Sequence, residues 1–349
     1  MSQRILLIPI FFILFFTSCM VDEKESSSSG STREKVNVYT HRHYDVDRKI
    51  FRKFEKEFHI DVNIIDDDAD KLLVRLEMEG KNSPCDLFMT VDAGRLARAK
   101  NKNLLQPITD ESILDLIPAN LKDKEKYWIA QTIRARVIVY SLERVDTSML
   151  STYLDLANEK WKGRLVMRSS DNIYNQSLLA SIMAHTDNNA ALNWAKSIVG
   201  NLARNPKGND KDQIKAIAAG EGDVSLVNTY YVGQMYDSKD PAEVDAVNKI
   251  GVYFPNQKSY GAHINISGAG IAKNSPNKKN AELLLKFLLR DDIQQMFAEA
   301  NDEFPVNKNL KIKPVLANWA QFKTDTLDLN RLGELNNDAL LIFNQAGWK

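Results

Sequence analysis

The sequence has little of what catalytic chemistry usually requires. It contains two cysteines in 349 residues, and it has no G-x-S-x-G, no H-E-x-x-H and no cysteine–histidine nucleophile pair. Lysine and arginine together number 46, as do aspartate and glutamate, so the net charge favours neither nucleic acid nor an acidic ligand. We therefore predict that the protein is not an enzyme and does not bind nucleic acid.

Two other motifs are incomplete. The stretch SGAG, residues 267–270, has Lys273 where a dinucleotide-binding loop needs a third small residue, so we interpret it as a tight turn after a strand. The acidic stretch beginning at Asp66 has calcium-loop spacing, but Lys71 occupies the position of the glycine that makes the sharp turn. An acidic helix N-terminus is the better interpretation of that stretch.

The amino terminus carries one long hydrophobic run. Residues 5–16, ILLIPIFFILFF, are too few to span a bilayer, which needs about 20 residues, but they are typical of a signal peptide. Small residues then precede Cys19, as in a bacterial lipobox, where the cysteine is lipidated. We predict a signal peptide over residues 1–18, and a lipidated Cys19 with a flexible tether over residues 19–35. The alternative is an ordinary signal peptide with a chance cysteine.

The remaining cysteine, Cys85, then has no partner for an internal disulfide. We expect it to be a small buried residue, because a free cysteine packs as a small apolar side chain.

The mature chain reads as a soluble α/β protein with two lobes. A length of 349 residues exceeds what one core usually organises, and 44% apolar with 26% charged residues is a globular composition. Strand and helix patterns alternate from residue 36 onward, which predicts parallel β-α-β units. We expect a strand at the end of residues 156–170 and one long apolar helix over residues 280–300. Ligands of such sheets bind at the carboxyl ends of strands, so the site should lie between the lobes.

Tyrosine and histidine recur where these strands end or helices begin. Taken singly, each tyrosine is more often a packing residue, and aromatic packing remains the alternative for each. Tyr230 and Tyr231 adjoin each other at the predicted end of a buried strand, where a turn could bring both into one cleft. The other candidates are His41, His43, Tyr44 and Tyr174.

Clustered phenols predict a hard, highly charged cation as the ligand. A free phenol has a pKa of about 10, but a bound metal ion can displace its proton. Phenolate is a hard anionic oxygen donor, which suits ferric ion. Several phenolates would over-neutralise one ferric ion, and nearby Arg42, Arg134 and Arg136 could offset the excess negative charge.

These stretches together resemble the ferric-iron-binding proteins of bacterial ABC importers. The resemblance runs in order from about Val36 to the EFPVN stretch. It is carried by YTHRHYDVD, DLFMTVDAGRL, RARVIVYS, WKGRLVMRSSDNIYNQSLLAS, VNTYYVGQ, NISGAGIAK and EFPVN. The chain is most similar to the subgroup of cyanobacterial iron-binding proteins, which ligate iron through one histidine and four tyrosines.

This resemblance implies the metal ligands by position. The ligands implied for Fe(3+) are His43, Tyr44, Tyr174, Tyr230 and Tyr231. Other branches use a carboxylate and a bound anion. The corresponding loop here reads FMTVDAG, and we expect its Asp92 to be a structural turn residue. We use His41 as the comparison residue for His43, because it lacks the neighbouring tyrosine.

The resemblance also implies a fold, a type II periplasmic-binding-protein fold in which a hinge joins two α/β lobes around the ligand. One lobe would hold residues 36–132 and 264–310, and the other residues 133–263, with C-terminal helices of residues 311–349 packing on the second.

The implied function is capture of ferric iron outside the cytoplasmic membrane and its delivery to an ABC permease and ATPase. We expect a monomer in the periplasm or at the cell surface, held to the membrane by its lipid anchor. Two alternatives remain open: a protein of the same fold that binds an anion or polyamine, and a surface interaction lipoprotein with no transport role.

Overall fold

The computed structural model describes residues 33–42 and 44–349 of the chain. The strands in this part of the chain are β1 (Lys35–Thr40), β2 (Asp61–Asp66), β3 (Leu87–Val91), β4 (Leu105–Gln106), β5 (Ile129–Ser141), β6 (Val224–Asn228), β7 (Ile250–Tyr253), β8 (Ile264–Ala272) and β9 (Phe304–Pro305).

The helices alternate with these strands, and short 3-10 turns occur in the connections. The α-helices of the described residues are α1 (Asp45–Phe58), α2 (Ala69–Glu79), α3 (Ala93–Asn101), α4 (Glu111–Leu114), α5 (Ile173–His185), α6 (Asn188–Asn201), α7 (Asp210–Ala218), α8 (Thr229–Tyr236), α9 (Pro241–Asn248), α10 (Lys278–Leu288), α11 (Asp291–Asn301), α12 (Pro314–Ala317), α13 (Asn330–Glu334) and α14 (Asn336–Ala346).

Helix α1 shows how the apolar pattern sets these elements. Ile50, Phe51 and Phe54 recur at helical spacing and are buried on one face. The helix ends at His59, whose backbone is left-handed at φ 57° and whose N–H donates to the Glu55 carbonyl. Helical periodicity and a left-handed cap therefore define the element that follows Tyr44.

Lobe one is built on β1–β4, β8 and β9 together with Ile129–Ala135 of β5. Strand β1 pairs in parallel with β2 and β3, which confirms the predicted β-α-β units. Strand β8 returns antiparallel to β3 and β5, so the sheet is mixed. The carboxyl ends of β1 and β3 therefore open on the same edge, where the cleft lies.

Lobe two is built on the remainder of β5 with β6 and β7, both antiparallel to it, and α5 to α9 pack around these strands. Strand β5 thus runs without a break from one sheet into the other, and all of its residues are buried. Residues 33–349 form one compact unit. The exact limits of the lobes at residues 132, 263 and 310 stay a prediction.

The C-terminal segment contacts both lobes rather than the second alone. Helix α14 packs on α5 and α6, but α13 lies against α3 of lobe one. The α3–α13 crossing is close: a Cβ on Gly333 would stand 2.7 Å from the Gly94 carbonyl oxygen. Glycine at this position therefore allows the backbones of the two helices to touch.

Three expected elements differ in the structure. Leu165 forms only isolated bridges, with Leu202 and Val224, and no strand ends residues 156–170. The apolar stretch at residues 280–300 is two helices, because Arg290 adopts an extended backbone at φ −63° and ψ 145° between α10 and α11.

The SGAG stretch is not a turn but the middle of β8. A Cβ on Gly268 would lie 2.6 Å from the Ile129 carbonyl oxygen, so its glycines permit close strand and side-chain packing rather than chain reversal.

Other expectations concern the termini and the cysteines. Cys85 is fully buried and free, as expected, and burial raises the pKa of its thiol. The signal peptide, Cys19 and the tether up to residue 32 lie outside the described residues. Within residues 33–42 and 44–349, we find no helix with both the length and the apolar character needed to cross a membrane.

Candidate metal centre

A cleft of about 270 Å³ lies between the two lobes. Among the described residues, its walls consist of His41, Arg42, Tyr44, Val91, Tyr174, Tyr230, Tyr231 and Gln234. The structure therefore brings together the four tyrosines that the sequence singled out: Tyr44 from lobe one, and Tyr174, Tyr230 and Tyr231 from lobe two.

Each tyrosine stands at the beginning of a helix. Tyr44 is the N-cap residue of α1, and Tyr174 is the second residue of α5, where its backbone N–H donates to the Asn172 N-cap side chain at 3.1 Å. Tyr230 and Tyr231 lie in the first turn of α8, directly after β6. The N-terminus of a helix carries partial positive charge, so the backbone at these positions favours a nearby anion.

The paired tyrosines are therefore helical rather than residues at a strand end. Adjacent side chains in a helix diverge by about 100°, whereas those in a strand point to opposite faces. Their ring centroids are 4.2 Å apart with an interplanar angle of 30°, and both rings reach the cleft. Gln234, which the sequence analysis missed, lies one turn after Tyr230 on the same helix.

The hydroxyl groups crowd one another. Tyr174 and Tyr230 share a hydrogen bond of 3.3 Å between their hydroxyl oxygens. Burial raises the pKa of Tyr44 and Tyr230 above the ordinary value, and the neighbouring phenols add to both rises. Burial also raises the pKa of Tyr231, while its hydrogen bond with Tyr230 and the charge of Arg168 oppose that rise. Without a cation, these three phenols are neutral at physiological pH.

Two of the expected arginines, Arg42 and Arg134, lie against the rings of cleft tyrosines. Arg42 is buried, donates from Nε to Asp47 at 3.0 Å, and stacks 5.1 Å from the Tyr44 ring centre. Arg134 is also buried and stands 5.1 Å from the ring centre of Tyr174. Both positive charges therefore adjoin positions where phenolate charge would develop.

Arg134 is the less neutralised of these two arginines. Its closest carboxylate among the described residues is Glu303 at 3.8 Å, and its Nη1 donates to Ser267 Oγ at 3.5 Å. Its Nε and Nη2 have no hydrogen-bond partner within the same part of the chain. A buried guanidinium in this state strongly favours new negative charge beside it.

The third expected arginine, Arg136, is held away from the phenols. It donates to Asp210 and to Asn175, each at 2.8 Å, and both it and Asp210 are buried. Arg168, rather than Arg136, lies beside the phenols of lobe two. It donates to Asp210 at 2.9 Å and lies 5.7 Å from the Tyr174 ring centre, and its charge opposes the raised pKa of Tyr231. Only its position six residues before Tyr174 in the sequence could have indicated this.

Of the two histidines that follow β1, the structure describes only His41. His43 lies outside the described residues, so its role as a ligand stays a prediction. His41 lines the cleft, and its Nδ1 lies 3.2 Å from Thr90 Oγ1. Burial, with the charges of Arg95 and Arg42, lowers the pKa of His41 to about 3. His41 is therefore uncharged and lines the cleft. It is not suitable as the comparison residue for His43, because its own substitution would alter the site.

Asp92 is a structural residue, as expected, and is not among the cleft-lining residues. Its side chain accepts the Gly94 N–H at 2.8 Å and caps α3. The described residues also contain no group of three or more His, Cys, Asp or Glu side chains placed to hold a metal ion. The candidate anionic ligands in the described walls of the cleft are therefore its tyrosines.

Comparison with known proteins gives the family. Residues 82–328 match the family of bacterial extracellular solute-binding proteins. Iron uptake protein A1 of Synechocystis sp. is 42% identical over 317 residues, which are 91% of this chain and 88% of that protein. Iron uptake protein A2 of the same organism is 41% identical over 335 residues, 95% of each chain.

Solved structures agree. The Trichodesmium protein IdiA (FutA) in complex with iron and citrate has a TM-score of 0.87 and 46% identity, covering 90% of this chain and 100% of that one. The ferric binding protein from Campylobacter jejuni has a TM-score of 0.85 and 40% identity, with coverage of 90% and 100%. The chain therefore belongs to the bacterial extracellular solute-binding protein family. It has the predicted type II periplasmic-binding-protein fold, and the resemblance stated from its sequence is confirmed.

The buried carboxylate of Asp210 should be essential to the stability of this site. Replacing it by alanine leaves Arg136 and Arg168 without their anion, and we expect the free energy of unfolding in urea to fall by about 3–5 kcal/mol. The control is Asp245→Ala, which removes an exposed pair 2.7 Å from Lys249 and should cost less than about 1 kcal/mol. Equal losses for the two variants would contradict this assignment.

Proposed function

We propose that this protein captures ferric iron outside the cytoplasmic membrane and delivers it to an ABC importer. The supporting observation is the convergence of four tyrosines, from both lobes, on one cleft whose described walls contain no carboxylate. Relatives at 41–42% identity are iron uptake proteins, and the neighbouring Trichodesmium structure contains iron. The protein is a solute-binding component rather than an enzyme, and its partners are a permease and its ATPase.

The proposed ligands are Tyr44, Tyr174, Tyr230 and Tyr231, with His43 as the fifth on sequence grounds. Ferric ion is a hard cation that binds phenolate oxygen and can displace the phenol protons. The positive helix N-termini stabilise the phenolates, and Arg134 and Arg168 offset their accumulated charge. Because the ligands come from two lobes, binding holds the lobes together in the manner of a hinge closure.

Other ligands fit this cleft less well. A polyamine would need carboxylates, and the described walls provide none. An anion would need free guanidinium groups at the surface of the cleft. Arg42, the arginine of the described walls, is committed to Asp47, and Arg134, which has unpartnered nitrogen atoms, does not line the cleft. Titration with phosphate and with spermidine, each in place of iron, tests these alternatives directly.

Removal of single hydroxyl groups should identify the ligands. We expect ferric loading to give a visible phenolate-to-iron band, and Tyr230→Phe or Tyr231→Phe to shift or abolish it. Each change should weaken iron binding by more than the 10–100-fold that loss of an outer-shell contact typically costs. Tyr140→Phe is the matched control, because Tyr140 is buried in the lobe-two core outside the cleft. An unchanged spectrum in both paired variants would refute the ligand assignment.

Iron loading should release protons, because burial raises the pKa of Tyr44, Tyr230 and Tyr231 and these phenols are protonated in the empty cleft. Protons therefore compete with iron, and affinity should fall as pH falls, by about tenfold per pH unit for each proton released. A pH-stat titration measures the number of protons, and Tyr231→Phe should release one fewer than wild type. Identical proton release in the two proteins would exclude Tyr231 as a phenolate ligand.

We further propose that Cys19 anchors a monomeric protein to the membrane through lipid. The basis is the apolar run and the small residues that precede this cysteine. Cys19→Ser should leave the protein unprocessed or move it out of the membrane fraction, as measured by fractionation and immunoblotting. Cys85→Ser is the control for loss of a thiol. A processed Cys19→Ser protein that remains membrane-bound would contradict the proposal.

A further inference from the structure

We infer that Asp92 and Ser177 form an interlobe contact that positions Tyr174 for the cargo. This inference rests on the proposed function and adds two positioning residues to it. Asp92 directly follows Val91, which lines the cleft at the end of β3 in lobe one. Ser177 lies on α5 of lobe two, one turn after Tyr174. The pair therefore joins the two lobes next to the site without lining it.

The Asp92 carboxylate is the junction of three elements. Its Oδ1 accepts the Gly94 N–H of α3 at 2.8 Å. Its Oδ2 accepts the Ser177 hydroxyl at 2.7 Å and the Asn265 side-chain amide at 2.8 Å. Asn265 belongs to β8 and pairs with Arg134 of β5, the strand that enters both lobes. One carboxylate thus connects lobe one, the strands that cross between the lobes, and lobe two.

The local backbone and burial indicate that Asp92 does more than cap a helix. Its φ is 82°, in the left-handed region that residues other than glycine rarely adopt, and its side chain is fully buried. No salt bridge joins Asp92 to a cation within the described residues, although its charge contributes to the raised pKa of Arg134. A cap alone needs only one hydrogen bond, so the strained backbone and buried charge fit a residue that must reach across the lobes.

The other residues of the first turns of α5 lack this interlobe link. Asn175 donates to the Arg168 and Ser169 carbonyls, and Gln176 donates to the Ser170 carbonyl. These bonds fix the helix within lobe two, and Gln176 also accepts the Asn336 side-chain amide of α14 at 3.0 Å. Among these residues, Ser177 bonds to Asp92, which directly follows β3. Ser177 lies three residues after Tyr174, on the same face of α5. Loss of its hydroxyl should therefore free Tyr174 to shift relative to Tyr44.

The test is the dissociation rate of iron into a chelator, followed by the visible band. Ser177→Ala should accelerate dissociation about three- to tenfold, the value of one buried hydrogen bond, and shift the band. Asp92→Asn keeps the shape and the cap but replaces the shared acceptor by an amide donor that faces the Asn265 amide, so it should also accelerate dissociation. Ser181→Ala is the matched control, because this buried serine of α5 bonds Asp325 at 3.3 Å and not Asp92. It should dissociate iron at the wild-type rate.

Combination with the ligand variant separates positioning from a general loss of stability. If Ser177 acts through Tyr174, Ser177→Ala should add nothing in the Tyr174→Phe background, whereas a merely structural role gives additive effects. Scattering of the iron-free proteins is the second measurement, and Ser177→Ala should have a larger radius of gyration than Ser181→Ala. Additive rates, or rates and radii equal to those of Ser181→Ala, would overturn the inference. A wild-type protein that takes up no iron would instead refute the proposed function, and the scattering result would still decide the interlobe contact.

Discussion

The proposed ligand set depends on one electrostatic constraint: several phenols must stay neutral when the cleft is empty and become anions when a cation enters. Burial favours the neutral form, and it raises the pKa of Tyr44, Tyr230 and Tyr231. Helix N-termini and buried guanidinium groups favour the anion. Their electrostatic attraction to a phenolate arises only once the phenol has lost its proton. With these proposed ligands, the site favours a highly charged cation, since a weakly charged cation cannot displace several protons at once.

This constraint accounts for the ion pairs beneath the cleft. Two arginines beside the phenols are anchored by carboxylates outside the described walls of the cleft: Asp47 holds Arg42, and Asp210 holds Arg168. Arg134 is the exception, with only a distant carboxylate and two nitrogen atoms without a described partner. The acids keep the arginines buried and oriented, but they also act on the phenols. In addition to burial, Glu303 raises the pKa of Tyr44, and Asp210 raises those of Tyr230 and Tyr231.

The sequence was informative where local pattern determines structure. The order of strands and helices correctly predicted the parallel part of lobe one. Tyr44, Tyr174, Tyr230 and Tyr231 were identified because they adjoin the ends of elements, and ends of elements face clefts. Pattern failed where long-range packing decides: the glycines of SGAG permit close packing in β8, and Arg290 divides an apolar stretch that reads as one helix. Arg168 was missed because its contact with Tyr174 depends on the path of an irregular loop.

Strand β5 gives the molecule a particular mechanical character. Because it runs unbroken through both sheets, any opening of the cleft must bend or twist a hydrogen-bonded ribbon instead of reorganising a disordered linker. Ordering a linker would cost about 1–2 kcal/mol of conformational entropy for each residue fixed. A continuous strand avoids most of that loss, because its backbone is already ordered by its pairing in both sheets. Any hinge motion in this protein therefore costs little conformational entropy at the crossing between the lobes.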